Sequence, residues 1–206
     1  PIVDRVIAAF LPVGSVAALG FVEKLTSVPL MIFSSSLATA AFPSFAEQTG
    51  AGRFEELKAT LCKAIRLAAV VLIPLSAACV AFALPLVRLL FQRGSFSATS
   101  TELVAATFGC SSLQFFFYTT NLLLVRAALA LGEGLLLVKL TLIAVAVNTL
   151  ANLSLVLLLR PPVAGIALST SLMAFLNALL LFLALRRRIG GMGGRRILEG
   201  VSRVAV

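Results

Sequence analysis

The sequence predicts an all-α fold, a polytopic transmembrane helical bundle with about five full spans plus the end of a sixth. Three observations predict it. Of 206 residues, 60% are apolar and only 12% are charged, whereas an average soluble domain is about half apolar and a quarter charged. The mean hydropathy is +1.10. The apolar residues also gather in runs longer than ordinary strands, so no strand reading competes. A span with its connection uses roughly 30 residues, which leaves room for about six. This composition excludes disorder and argues against a water-soluble enzyme.

The elements follow in order. The chain opens on Pro1-Ile2-Val3-Asp4, without a Met and without a basic-then-apolar leader ending in a cleavage site. Ile2 to Leu11 is too short to cross a hydrocarbon core of about 30 Å and ends at the turn Pro12-Val13-Gly14. It reads as the last turns of a helix that begins upstream, in a piece of a larger transporter. Ser15 is a suitable N-cap for a helix over about Val16 to Phe45, which Pro29 should bend. A polar loop, Glu47 to Arg53, follows.

The next helix runs from about Phe54 to Ala83. Glu55 and Glu56 sit at the positive end of its dipole, ahead of Lys58, Lys63 and Arg66. Its first turns belong in the headgroup region, and Pro74 supplies a second kink. A short segment, Pro85 to Gln92, carries Arg88 and closes on the loop Arg93 to Ser97. A helix over about Ser100 to Leu131 follows, with Gln114, Tyr118, Asn121 and Val125 at helical spacing and Arg126 toward its end. Leu135 to Leu159 holds Asn148 and Asn152 one turn apart, and Arg160-Pro161-Pro162 stops it. Val163 to Leu185 holds Ser169, Ser171 and Asn177 and is capped by Arg186-Arg187-Arg188. Arg195 to Val206 reads as the amphipathic start of something that continues.

The formal charge is +9, from 17 Lys+Arg against 8 Asp+Glu. In a soluble protein this excess would suggest nucleic acid. Here it falls mostly between and after apolar runs, as in the cytoplasmic loops of membrane proteins. Arg186 to Arg188 with Arg195 and Arg196 form the strongest basic block, so that end is placed in the cytoplasm, together with Glu133 to Lys139 and Glu47 to Arg66. The turns at Pro12, Arg93 and Arg160 then face outside. Cys62, Cys79 and Cys110 are far apart and form no Cys-x-x-Cys pair, so neither a zinc site nor a disulfide framework is expected.

Nothing in the chain reads as catalytic: it has 0 His, no phosphate-cradling Gly-rich loop before a Lys, and no nucleophile–base pair. No enzyme activity, cofactor or metal is expected. The informative residues are ionisable groups inside apolar helices, which normally face a bundle interior or a water-filled cavity. Lys24 shares a helix face with Gly20, Ser27, Met31 and Ser35, small and polar as a cavity wall would be. There it would bind an anionic group such as a phosphate. The plainer reading has Lys24 reach to the outer headgroups while Glu23, pointing elsewhere, pairs with a neighbouring helix. Asp4 and Arg5 reach the same cavity or form a salt bridge at the outer rim. Arg126 is read as snorkelling or holding the Gly132–Gly134 turn. Asn148, Asn152 and Asn177 are read as interhelical hydrogen-bonding residues, and Ser34-Ser35-Ser36 as a close-packing surface. The Arg186–Arg188 block is a topology signal first and an anionic-lipid contact second.

Several segments together resemble one family. They are Val3-Asp4-Arg5 through Leu11-Pro12, Gly14-Ser15-Val16, Glu23-Lys24-Leu25 with Val28-Pro29-Leu30, Phe42-Pro43-Ser44-Phe45, Pro85 through Phe96, Arg126-Ala127 with Ala130 to Glu133, Ala164 through Ser171, and Leu176-Asn177-Ala178. Their order and spacing are similar to those of the MurJ/MviN lipid II flippases of the multidrug/oligosaccharidyl-lipid/polysaccharide exporter superfamily. Pro85 to Phe96 is the most specific part, and the match covers nearly the whole chain.

The resemblance implies fourteen transmembrane helices in the full protein, two six-helix lobes and a final pair, with residues 1–189 as the second lobe from late helix seven through helix twelve and 190–206 as a cytoplasmic linker toward a further helix. It implies a monomer of the bacterial inner membrane that moves undecaprenyl-pyrophosphate-linked peptidoglycan precursor by alternating access, with the first lobe and membrane lipids as partners and no nucleic acid. In the family a cationic central cavity receives the pyrophosphate. Its second-lobe base is typically an Arg in a Tyr-Ala-Asp-Arg-Leu stretch, matched here by Phe21-Val22-Glu23-Lys24-Leu25. Lys keeps the charge without the bidentate fork. The substrate-binding residues so implied are Lys24, Ser27, Asp4 and Glu23, and the chain alone should not transport. Three competing readings are an exporter of another lipid-linked oligosaccharide or of drugs, a non-transporting membrane scaffold, and a soluble nucleic-acid binder. Drug export would favour acidic cavity residues, a scaffold would tolerate charge reversal at Lys24, and solubility without detergent would mark the nucleic-acid binder.

Overall fold

A computed structural model describes residues 15–91, 98–158 and 162–189, and all of its regular structure there is helical. Helix α1 spans Ser15–Pro29, a π-helical segment spans Leu30–Ser35, and α2 spans Ser36–Gly50. Then come α3 (Phe54–Ala81), α4 (Ala83–Phe91), α5 (Ala98–Ser112), α6 (Phe115–Ala130), α7 (Gly134–Leu158) and α8 (Pro162–Ile189).

The first rod is continuous over Val16–Gly50, 35 residues. Pro29 does not break it. Proline lacks the N–H that would close an α-turn and crowds the carbonyl one turn back. The wider π turn that starts at Leu30 takes up this mismatch. Helix α3, 28 residues long, extends about 42 Å. Its buried positions Leu57, Leu61, Ala64, Ile65, Ala68, Leu72 and Ser76 follow the helical period and form one stripe.

The expected continuous helix over Ser100 to Leu131 is instead two helices. Helices α5 and α6 meet at Leu113–Gln114 with a bend of 43°. Neither Pro nor Gly sits at the joint. Ser112 Oγ donates back to the Phe108 carbonyl at 2.8 Å, and the Gln114 amide reaches only to the Ser111 carbonyl at 3.2 Å. Side-chain bonding of this kind competes with the helical ladder and bends helices.

By length and apolarity three of the described helices are able to cross a membrane, or four with the bent α5–α6 pair counted as one span. Helix α7 adds 25 residues, with an apolar stretch over Gly134–Asn148. The helix end expected at Ile2 to Leu11 lies outside the described residues, so the sixth span is not observed. Ala83–Phe91 is a nine-residue helix, too short to span.

Two loops at one end of the bundle share a geometry. Gly52 and Gly132 have φ of 69° and 74°. The Arg53 amide donates to the Gln48 carbonyl at 2.8 Å and the Glu133 amide to the Ala128 carbonyl at 2.9 Å. Each is a Schellman ending, with glycine in the left-handed position that side chains resist. Arg188, at the end of α8, meets Glu133 at 3.4 Å. Thr49, Phe54, Leu131, Glu133 and Arg188 line one small pocket. The three basic segments assigned to one side of the membrane from charge alone therefore meet at one end.

The interior has two main clusters. One joins α2, α3, α6 and α8 through Phe45, Leu57, Leu61, Leu123, Leu124 and Leu185. The other joins α1, α4 and α5 through Val22, Val87, Val104 and Phe108. Helix α8 packs against α5, α6 and α7. Lipid is as apolar as these side chains, so close packing and interhelical hydrogen bonds hold such a bundle. Ser171 supplies one, donating to the Cys110 carbonyl at 2.8 Å.

Candidate functional site, a polar cavity inside the bundle

Between α1, the α5–α6 joint, α7 and α8 lies a cavity of about 390 Å³. Helix α1 contributes Glu23 and Thr26, α5 contributes Ser111, and Gln114 enters at the joint. Tyr118 and Asn121 come from α6, Asn148 from α7, and Thr170 and Asn177 from α8. Leu19, Val22, Ile166 and Met173 complete the wall.

Among the described residues the lining combines one carboxylate with four amides, a phenol and three hydroxyls, and no lysine or arginine. Amides both donate and accept. Such groups surrounded by hydrocarbon need partners or water. Thr26 is satisfied within its own helix, donating to the Val22 carbonyl at 2.9 Å. A water takes about 30 Å³ in the liquid, so the space holds several. The arrangement can hydrate or exchange small polar species, and the one charge its described lining carries, the Glu23 carboxylate, would repel a phosphate.

Neighbours in sequence, Glu23 and Lys24 part company here. Glu23 lines the cavity, whereas Lys24 is exposed and is absent from the lining. Around Lys24 the same face stays open: Ser27 and Ser35 are exposed and Met31 is 70% exposed. Ser27 Oγ donates to the Lys24 carbonyl at 2.8 Å, which occupies its proton within the helix. Asp4 and Arg5 lie outside the described residues, as does the side chain of Asn152. The Arg126 guanidinium lies over the Phe42 ring, 5.5 Å from the centroid. Ser34, read as a close-packing surface residue, is buried, and its hydroxyl is 2.6 Å from that of Thr119.

Sequence reasoning did not assemble the cavity. It assigned Asn148 and Asn177 to helix–helix hydrogen bonds and gave Gln114, Tyr118 and Asn121 no role. The signal was present in that last trio, whose period puts three polar groups on one face of an apolar helix.

A family model described as lipid II flippase MurJ matches residues 1–206, the full length of the chain. The chain belongs to the MurJ lipid II flippase family. It is 29% identical over 186 residues to the "Probable lipid II flippase MurJ" of Synechocystis sp., covering 90% of this chain and 34% of that protein. It is 30% identical over 190 residues to the "Lipid II flippase MurJ" of Burkholderia cenocepacia, covering 91% of this chain and 36% of that protein. A solved structure titled "Lipid II flippase MurJ, inward closed conformation" superimposes with a TM-score of 0.80, at 20% identity, over 98% of this chain and 42% of that one. At that identity the likeness shows the fold. The chain spans about a third of the length of the curated relatives it matches. As a MurJ-family chain with several membrane-crossing helices, it is a multi-pass protein of the bacterial inner membrane.

Proposed function

We propose that this protein flips lipid II, the undecaprenyl-pyrophosphate-linked peptidoglycan precursor, across the inner membrane by alternating access, and that residues 1–189 supply its second lobe. The observation that carries the reading is the family match over the whole chain, together with the cationic Lys24 on an open helix face. An anionic pyrophosphate cannot cross about 30 Å of hydrocarbon unaided. A fixed positive charge on a wall between two lobes would offset its lost hydration, and rocking of the lobes would present that wall to each side in turn.

In this reading Lys24 meets the pyrophosphate and Ser27 stands beside it on the substrate-facing wall. Asp4, outside the described residues, is assigned to the same substrate-binding group by the family resemblance alone. Glu23 acts from behind, inside the polar cavity, where its charge holds α1 in orientation. One lobe offers only half of the wall, so the chain by itself does not transport. The protein works as a monomer.

Depletion in the native bacterium tests this. Lipid II should accumulate on the cytoplasmic face and labelling of the outer face should fall. Unchanged labelling of both faces would support a scaffold instead.

A further inference from the structure

A second concavity lies along α5, apart from the polar cavity. It opens where α3 ends and α4 begins and has a volume of about 580 Å³. Small residues create it. Ala83, Ala105, Ala106 and Gly109 leave room where longer side chains would stand, and a Cβ at Gly109 would meet Ala83 Cβ at 3.8 Å. Among the described residues a single charged one, Glu102, lines this otherwise apolar groove. Glu102 is exposed and makes no hydrogen bond or ion pair among the described residues.

The dimensions match a lipid. Glu102 lies near the start of α5, and Leu113, at the far end of the groove, follows its last residue. The eleven residue steps between them rise about 16 Å along the helix, close to half of a hydrocarbon core of about 30 Å. A groove of this length fits within one leaflet, and Glu102, near the start of α5, stands at the end of it nearer the helix terminus. By the charge argument the start of α5 faces outside, which makes it the outer leaflet.

We propose that this groove binds an outer-leaflet phospholipid with an ammonium headgroup, of the phosphatidylethanolamine type. One acyl chain lies along the alanine and glycine floor, and the ammonium pairs with Glu102. Charge complementarity selects this occupant. A lipid with only anionic groups in its head, including a polyprenyl pyrophosphate, would set its charge against the same carboxylate.

Native mass spectrometry of the protein released from mixed micelles tests this, with phosphatidylethanolamine and phosphatidylglycerol of the same chains as probes. Phosphatidylethanolamine should be retained about two- to fivefold over phosphatidylglycerol, the range of an exposed ion pair. Glu102→Gln, at an exposed position and nearly isosteric, should fold normally and abolish the preference. Ala106→Phe should fill the groove and lower retention of both lipids. Equal retention by the parent protein, or a preference that survives Glu102→Gln, would overturn the proposal. So would stronger retention of undecaprenyl phosphate than of either probe, which would assign the groove to a polyprenyl tail.

Discussion

The hydroxyls of Ser34 and Thr119, 85 positions apart in the chain, lie 2.6 Å from each other in the buried interior. Thr119 also sits 2.8 Å from the Phe115 carbonyl and donates to it, so Ser34 donates to Thr119. The bond ties the π-helical segment after Pro29 to α6, which carries Tyr118 and Asn121 into the polar cavity. It fixes the rod bearing Glu23 and Lys24 against the cavity wall.

Removing either partner breaks the bond, and Thr119→Val also leaves the Ser34 hydroxyl without its acceptor. Thr119→Val or Ser34→Ala should each lower stability by about 0.5–1.5 kcal/mol. The double variant should cost less than the sum of the two, since residues in one bond are not additive. Thermal unfolding in detergent measures this, and strict additivity would mean that the bond carries no energy.

The cavity should be reachable by water. With Cys62, Cys79 and Cys110 replaced by alanine, Asn121→Cys and Asn177→Cys should react with a small membrane-permeant thiol reagent. Leu123→Cys, at a fully buried apolar position, should stay unmodified. Equal silence at all three would show a dry interior.

Gly52 and Gly132 close their helices with positive φ. Alanine at either should destabilise by about 1 kcal/mol, although open space surrounds both. Gly20→Ala, within a helix and equally uncrowded, should be neutral or slightly stabilising. Melting temperatures of the three variants distinguish backbone strain from crowding.

Arg188 and Glu133 join α8 to the turn before α7, yet the arginine side chain is 63% exposed. Their coupling in a double-mutant cycle should be about 0.2–1 kcal/mol and should shrink with added salt. Insensitivity to salt would argue that the pair is held by more than charge.

The sequence disclosed the helical class, the order of elements and the common end of the basic loops because hydropathy, helix caps and charge act locally. Pro29 predicts a bend; the structure has a π-helical segment starting one residue later, in a rod that continues to Gly50, a form that a proline in a helical pattern does not announce. The break at Leu113–Gln114 escaped because neither residue is a helix breaker; the cause lies in hydroxyls that bond back to the preceding turn. Lys24 drew attention as a charge in an apolar helix, and its neighbour Glu23 proved to be the one facing the cavity. The opposite directions of the two side chains follow from the 3.6-residue period. Which of them faces the bundle is set by packing of Val22 against α4 and α5, and no single-sequence pattern records that.

The central claim is that the Lys24 charge receives the substrate's pyrophosphate. It is tested most directly by complementation in cells depleted of their lipid II flippase, using the full-length protein with confirmed membrane levels. Lys24→Arg should support growth and lipid II export, and Lys24→Glu should support neither, while Lys63→Glu at the exposed start of α3 should behave as the parent. Normal growth and export with Lys24→Glu would contradict the account.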